Sequence, residues 1–413
     1  MVIYETLEKI LARHRKFNKK YKYIHVDKLP YQYAIPKFNK VPPGWRFIDG
    51  VCGEKRDKTK HSKEQTVLEI YKQPPHEAYC STTDASKWLS RQLQRVMELL
   101  QMKDNESFQR LLDGIRRCWF IRVIDEVFLE IKELQNFLKD KDPRTFDFST
   151  MYTCLQHQLI KKNVRIAVEE AVEYAESRAS KDSKCLEHFR CLQDVEKIME
   201  HVNFIVDNTY LYTEGGILLH QDIGIPMGTN SAPEIANLTV YVPERDFINK
   251  MICAKQEEEA RKHANNFRLQ DDVLAWGVLP PSAEEYGLEW SETTLPDGSV
   301  VYLGATIKKL NGRIDISVFD KAADWPFPVL RYPHYDSNVP YHQPAGVFTG
   351  QLSRYRIVCN TIRNFKHATT QMVLKLLGRG HKTAAIMKGW NKHLNKYAHD
   401  RITNYTRLRH WFR

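Results

Sequence analysis

Between Thr145 and Ser149 polar and aromatic residues alternate, a two-residue period that puts Phe146 and Phe148 on one face of a strand and Asp147 on the other. An Asp between two Phe on a strand is disfavoured without a compensating role, so this carboxylate is expected to face a cleft while the rings anchor the strand below. Strand patterns return at 300–309 and 313–319, where they flank Asn311-Gly312, a two-residue hairpin signal. Leu89, Leu93, Val96 and Leu100 recur at helical spacing and predict an amphipathic helix over 84–101, with Thr83 or Asp84 near its cap. A second helix is predicted over 164–176, starting after Asn163, and residues 1–12 also fit a helix. The stretch 33–48 is Pro-rich and basic and reads as a loop between extended segments. Past a Pro-rich stretch at 324–344, two runs mark a helical tail: Leu352, Tyr355, Cys359 and Ile362, then Ile386, Trp390, Leu394 and Tyr397. The sum is an α+β fold, a sheet with helices packed on one face, without internal repeats.

The chain has 413 residues, 42% of them hydrophobic, enough for two or three domains with buried cores. It holds no run of apolar residues long enough to span a bilayer, and Met1 to Thr6 lack the order of a signal peptide. The expectation is an intracellular protein, nuclear or cytoplasmic, without a membrane partner. Its eight cysteines lack paired CxxC spacing, and the nearest approach to a metal cluster is Cys185, His188 and Cys191. Reduced, buried thiols are the simpler reading.

Charge changes the picture more than composition does. The net charge is +11, yet residues 346–413 carry 14 Lys or Arg against one acid, Asp400, and the first 345 residues carry 48 basic against 50 acidic side chains. A tail this one-sided points to a polyanion partner, because neutralising phosphates releases counterions. A solvated helical face would intersperse acids among the bases. The run Arg13 to Lys22 interleaves bases with aromatics and fits a nucleic-acid contact, a nuclear address or a solvated turn.

Three stretches carry chemistry together: Phe146-Asp147-Phe-Ser-Thr-Met-Tyr152, then Gly224-Ile-Pro226-Met-Gly228, then Arg268-Leu-Gln-Asp271-Asp272. An Asp-Asp pair alone is a weak motif, and the order of all three carries the weight. Joining a nucleotide to a primer requires activating a 3′ hydroxyl and neutralising the pentavalent phosphate and the pyrophosphate, which two divalent ions do at once. Asp147 and Asp271 are the candidate bridging ligands, with Asp272 supporting. Hard carboxylate oxygens suit Mg²⁺, with Mn²⁺ as a substitute.

These stretches resemble motifs A, B and C of reverse transcriptases, most nearly those of the Penelope-like retroelement group and its protist and viral relatives. The resemblance extends over roughly residues 30–390 and includes Ile35-Pro-Lys37-Phe-Asn-Lys40, Trp45-Arg46-Phe-Ile, Ala236-Asn237, Tyr302-Leu303-Gly304, and the segment from Arg331-Tyr-Pro-His to Val339-Pro340. It implies a right-hand polymerase. Fingers with an N-terminal basic segment would occupy 1–140; the palm with its antiparallel sheet 141–320, including a helical insert at 155–200; a Pro-rich connection 321–345; and a basic helical thumb 346–413.

Carried over position by position, it implies metal ligation by Asp147, Phe148, Asp271 and Asp272. Lys37, Lys40 and Arg46 would neutralise the triphosphate, and Tyr152 would stack beneath the sugar and reject a 2′ hydroxyl. Pro226 and Gly228 would present backbone to the nascent base pair, and Tyr302, Leu303 and Gly304 would form a primer grip. The implied activity is RNA-directed DNA synthesis on an RNA template, from a DNA or RNA primer, with deoxynucleoside triphosphates.

Two departures stand out. Leu269 occupies the place of an aromatic, beside Gln270, and 277–302 contains no Lys, Arg or His to protonate pyrophosphate. Lys308, Lys309 or water would have to serve. No paired GIY and YIG motif follows the tail and no RNase H constellation is evident, so the 3′ end would come from a chromosome end, a nick or a separate endonuclease. The alternative function is a catalytically inactive nucleic-acid-binding protein of the same fold, and a third reading is an RNA-templated RNA polymerase.

Overall fold

The computed structural model describes residues 5–37, 44–50, 80–111, 114–148, 150–212, 217–322, 329–338, 342–397 and 399. They form two compact units that interleave along the chain. One comprises Met1–Phe120, Phe148–Ala264 and Pro280–Trp290, the other Ile121–Asp147, Asn265–Leu279 and Ser291–Arg413.

The first unit is mainly helical. Helix Thr83–Leu111 buries Leu89, Leu93, Val96 and Leu100, as their spacing predicts, but continues ten residues beyond the expected end at 101. Its extension is held by charge: Lys103 donates to Glu170 at 2.9 Å and Arg178 to Glu106 at 3.0 Å, both from the neighbouring helix His157–Arg178. That neighbour begins at His157 rather than after Asn163, because Ile160 extends its buried face. Asn163 is no cap but a buried mid-helix residue donating to the Thr239 carbonyl at 2.8 Å.

The basic run Arg13 to Lys22 is helical, within Leu7–Tyr21, with Lys22 as its left-handed C-cap. Phe17 stacks on Phe204 at 3.8 Å, while Arg15 pairs with Asp27 and Lys20 with Glu200. A sheet of this unit runs in the order Gly44–Gly50, Tyr31–Lys37, Tyr210–Tyr212, Leu218–His220. The 33–48 stretch is thus two paired strands where it is described, since each residue from Tyr31 to Lys37 has an antiparallel partner.

The second unit holds two antiparallel sheets. One has the order Phe267–Leu269, Asp272–Trp276, Pro143–Asp147, Ser291–Glu292; the other has Arg313–Val318, Ala305–Leu310, Val300–Tyr302. Asn311 and Gly312 both take positive φ, 49° and 68°, as a two-residue turn between right-twisted strands requires. Phe128, Leu274, Trp276, Ile307 and Ile316 are buried in one core. Helices His342–Val358, Ile362–Leu377 and Thr383–Lys396 enclose another around Leu352, Phe365 and Trp390. Among the described residues no helix is long and apolar enough to cross a membrane.

Candidate active site

The strand Pro143–Asp147 runs antiparallel to Asp272–Trp276 in a register that makes Asp147 the direct partner of Asp272. Leu269 pairs with Asp272 on the other side, and Ser291 with Asp147, so Leu269, Asp272, Asp147 and Ser291 form one rung across four strands. Direct antiparallel partners have Cα atoms about 4.5–5.5 Å apart with side chains on the same face. Like charges there are destabilising on their own. Phe146 and Val273, one step along, are buried, which turns the rung of carboxylates to the opposite face.

Asp271 stands in the two-residue turn Gln270-Asp271 that joins Phe267–Leu269 to Asp272–Trp276. Gln270 has φ 55°, a left-handed conformation unusual for a long side chain. Asp272 is exposed by area, yet its carboxyl is crowded. Desolvation first, then Asp271, then Asp147 push it up to about 6, against a partial offset from Lys321.

No three His, Cys, Asp or Glu side chains among the described residues close around a point as a finished metal cage. Mg²⁺ does not need one, since it is commonly held through one or two carboxylates and completed by substrate phosphates and water. The donor set fits: hard carboxylate oxygens from apposed strands at Asp147 and Asp272 and from the adjoining turn at Asp271. Cys185, His188 and Cys191 do not form a metal site either. Cys185 is buried, Cys191 exposed, and His188 lies 3.1 Å from Glu98.

Tyr302, Leu303 and Gly304 form the turn between Val300–Tyr302 and Ala305–Leu310, with φ 49° at Leu303 and 75° at Gly304. Tyr302 is fully buried, and burial first, then Asp272, pushes its hydroxyl well above its ordinary range. Of the three, only Leu303 and Gly304 reach the surface. Arg354, on helix His342–Val358, donates to the carbonyls of Leu303 at 3.3 Å and Gly304 at 3.4 Å. A Cβ on Gly304 would lie 2.3 Å from the Arg354 guanidinium, the movable end of a flexible side chain, so it is the φ of 75° that favours glycine.

The first unit gathers other predicted residues. Tyr152 lies half-buried on the short helix Met151–Cys154. Its carbonyl accepts from Ile225 N at 2.8 Å, while Gly224 N donates to Leu155 O at 2.8 Å, which stitches the 224–228 loop to this helix. Gly224 has φ 86°, and a Cβ there would stand 2.4 Å from the Tyr152 oxygen. Pro226 is buried, and its carbonyl accepts from both the amide and the hydroxyl of Thr229; Gly228, at φ 109°, is exposed. The Phe148 carbonyl accepts from Met151 N at 3.3 Å, leaving a second lone pair. Lys37 and Arg46 lie on the paired strands, partnered with Gly44 and Ile35. Lys40 lies outside the described residues.

Three residues near these turns were given no role from the sequence. Lys321 was an isolated lysine after a hairpin, Arg354 one base of a basic tail, and Arg268 a charge in an otherwise apolar strand. Lys309, considered as a proton source, donates to Asp142 at 3.2 Å, at the end of the strand remote from Asp147.

No family model matches the chain, and no curated protein matches it. Among solved structures it is similar to apo telomerase from Candida tropicalis, at 12% identity over 89% of this chain and 58% of that one, with a TM-score of 0.42. Telomerase from Candida albicans, in complex with a fragment of telomeric RNA, gives 13% identity, 95% and 64% coverage, and 0.48. The RNA-dependent RNA polymerase of a human picobirnavirus gives 12%, 92% and 61%, and 0.44. The chain spans about three fifths of the length of these proteins.

Proposed function

We propose that this chain is a nucleotidyltransferase, and specifically an RNA-directed DNA polymerase of Penelope-like retroelement origin. The observation that carries the reading is the rung that sets Asp147 opposite Asp272, with Asp271 in the adjoining turn. Asp147, Asp271 and Asp272 would hold the Mg²⁺ ions, with the Phe148 carbonyl in support. When bound, the ions supply charge neutralisation at the attacking and leaving oxygens. Lys321 would add positive charge beside Asp272, where a pyrophosphate needs it.

Tyr152, its backbone locked by the 224–228 loop, would exclude a 2′ hydroxyl; Pro226 and Gly228 would offer backbone to the base pair. Lys37, Lys40 and Arg46 would meet the triphosphate. The Leu303-Gly304 turn would support the primer end. On helix Thr383–Lys396 the exposed Lys388, Lys392 and Lys396 recur once per turn, about 6 Å apart, a spacing that suits consecutive phosphates of a primer-template duplex.

Leu269 favours a second reading. It stands in the carboxylate rung where the resembled family has an aromatic, and it packs toward the core. A polymerase-fold binder that lost synthesis would tolerate it. The test is extension of a DNA primer on an RNA template with Mg²⁺ and deoxynucleotides, beside Asp147→Asn and Asp271→Asn. The expected result is synthesis that either substitution abolishes while duplex affinity stays within about threefold. Salt-sensitive binding without extension in Mg²⁺ or Mn²⁺ would leave the binder reading standing.

A further inference from the structure

Arg268 is the one Lys or Arg that is buried among the described residues, at 0% exposure. It occupies the strand position opposite Val273, which in turn pairs with Phe146; both are buried hydrophobics. The guanidinium therefore leaves the sheet on the face opposite the carboxylate rung, beside buried hydrophobics and one step along the strand. A methionine or leucine would fill such a place without the desolvation a cation suffers there. The charge needs a reason.

Its surroundings supply one. Nη1 of Arg268 donates to the carbonyl of Gln270 at 3.3 Å. Gln270 is the left-handed residue of the two-residue turn that carries Asp271 and leads into Asp272. Glutamine does not favour this conformation, so the turn persists only if its surroundings hold it. The backbone of Arg268 is itself pinned, its carbonyl accepting from Ile121 N at 2.8 Å. The same device recurs in this unit: the turn at Leu303, also left-handed, is held through its carbonyls by Arg354. In both places an arginine side chain, rather than a glycine at the first turn position, holds the bend.

We infer that Arg268 is a positioning residue: by holding the Gln270 carbonyl it fixes the left-handed turn and keeps Asp271 and Asp272 aligned with Asp147. The consequence for catalysis rests on the polymerase reading above; the consequence for the turn does not. If the turn depends on Arg268, a glycine at 270, which adopts positive φ without strain, relieves that dependence.

The experiment compares wild type, Arg268→Met, Arg268→Lys, Gln270→Gly and the Arg268→Met/Gln270→Gly double variant. Hydrogen–deuterium exchange of a peptide spanning 267–276 reads the turn directly, without metal or substrate, and peptides from helix Ile362–Leu377 report whether each variant is folded. Exchange in the 267–276 peptide should rise at least tenfold in Arg268→Met, rise less in Arg268→Lys, which keeps a donor, and return toward wild type in the double variant. The Mn²⁺ concentration giving half-maximal thermal stabilisation should follow the same order. A residue that merely fills the core would show no coupling to position 270, so equal exchange in Arg268→Met and the double variant overturns the inference. Wild-type exchange in a folded Arg268→Met or Arg268→Lys overturns it too. If the coupling is present but wild type neither extends primers nor responds to Mn²⁺, the polymerase reading falls and the positioning role stands.

Discussion

Replacing Asp272 by Asn should make the metal-free protein more stable at neutral pH. The carboxyl of Asp272 sits at about 6 instead of 3.8, chiefly through desolvation, with Asp271 and Asp147 adding repulsion. Between these values the unfolded chain gives up its proton first, so the native state binds more protons and stability falls as pH rises from about 4 to 6, then levels off. The full difference corresponds to about 3 kcal/mol at neutral pH. Because the side chain is largely exposed, solvent screening reduces this to about 1 kcal/mol.

Asn keeps the shape and removes the charge. In chelator at pH 7.5, Asp272→Asn should melt about 2–4 °C above wild type, and the gain should vanish near pH 4, where the native carboxyl is already protonated. Adding Mg²⁺ should then raise wild type more than the variant, since binding to the native state alone is stabilising. The assay is thermal unfolding across that pH range with and without metal. A lower melting temperature for Asp272→Asn at pH 7.5 in chelator, or a gain of equal size at pH 4, would refute the claim that clustered carboxylates strain this end of the sheet.

Other outcomes follow from the same geometry. Tyr152→Ala should raise ribonucleotide incorporation relative to deoxynucleotide by at least tenfold, measured as a ratio of kcat/KM values; an unchanged ratio withdraws the gate. Gly224→Ala combines a left-handed φ with a Cβ 2.4 Å from a backbone oxygen, and chemical denaturation should show a loss of roughly 2–5 kcal/mol. Joint replacement of Lys388, Lys392 and Lys396 by Ala should lower the slope of log affinity against log salt for a primer-template duplex by about 2–3 units, and an unchanged slope would place the duplex elsewhere.

What could be read from the sequence was local or periodic. Alternation around Asp147 foretold a strand with buried Phe146, although the strand ends at Asp147 and the buried Phe148 lies just past it; Asn311-Gly312 foretold its turn because few other pairs adopt two positive φ angles cheaply; apolar spacing foretold a helical tail, although its first run is broken between Val358 and Ile362. Boundaries were less legible where charge rather than apolar spacing continues a helix, as at Lys103 and Glu106, or where a polar residue is satisfied across the fold, as Asn163 is by Thr239.

Tertiary structure alone decided which residues share the rung. Asp147 and Asp272 are far apart in the chain, and only strand register makes them partners, with Leu269 and Ser291 completing the rung. Likewise Arg268, Arg354 and Lys321 looked like ordinary charges, because their roles arise from distances to turns and carboxylates that no pattern of neighbouring residues encodes. Local sequence specifies which backbone conformations are cheap; the pairing of distant segments specifies which charges must share a small volume, and the site's chemistry depends on that.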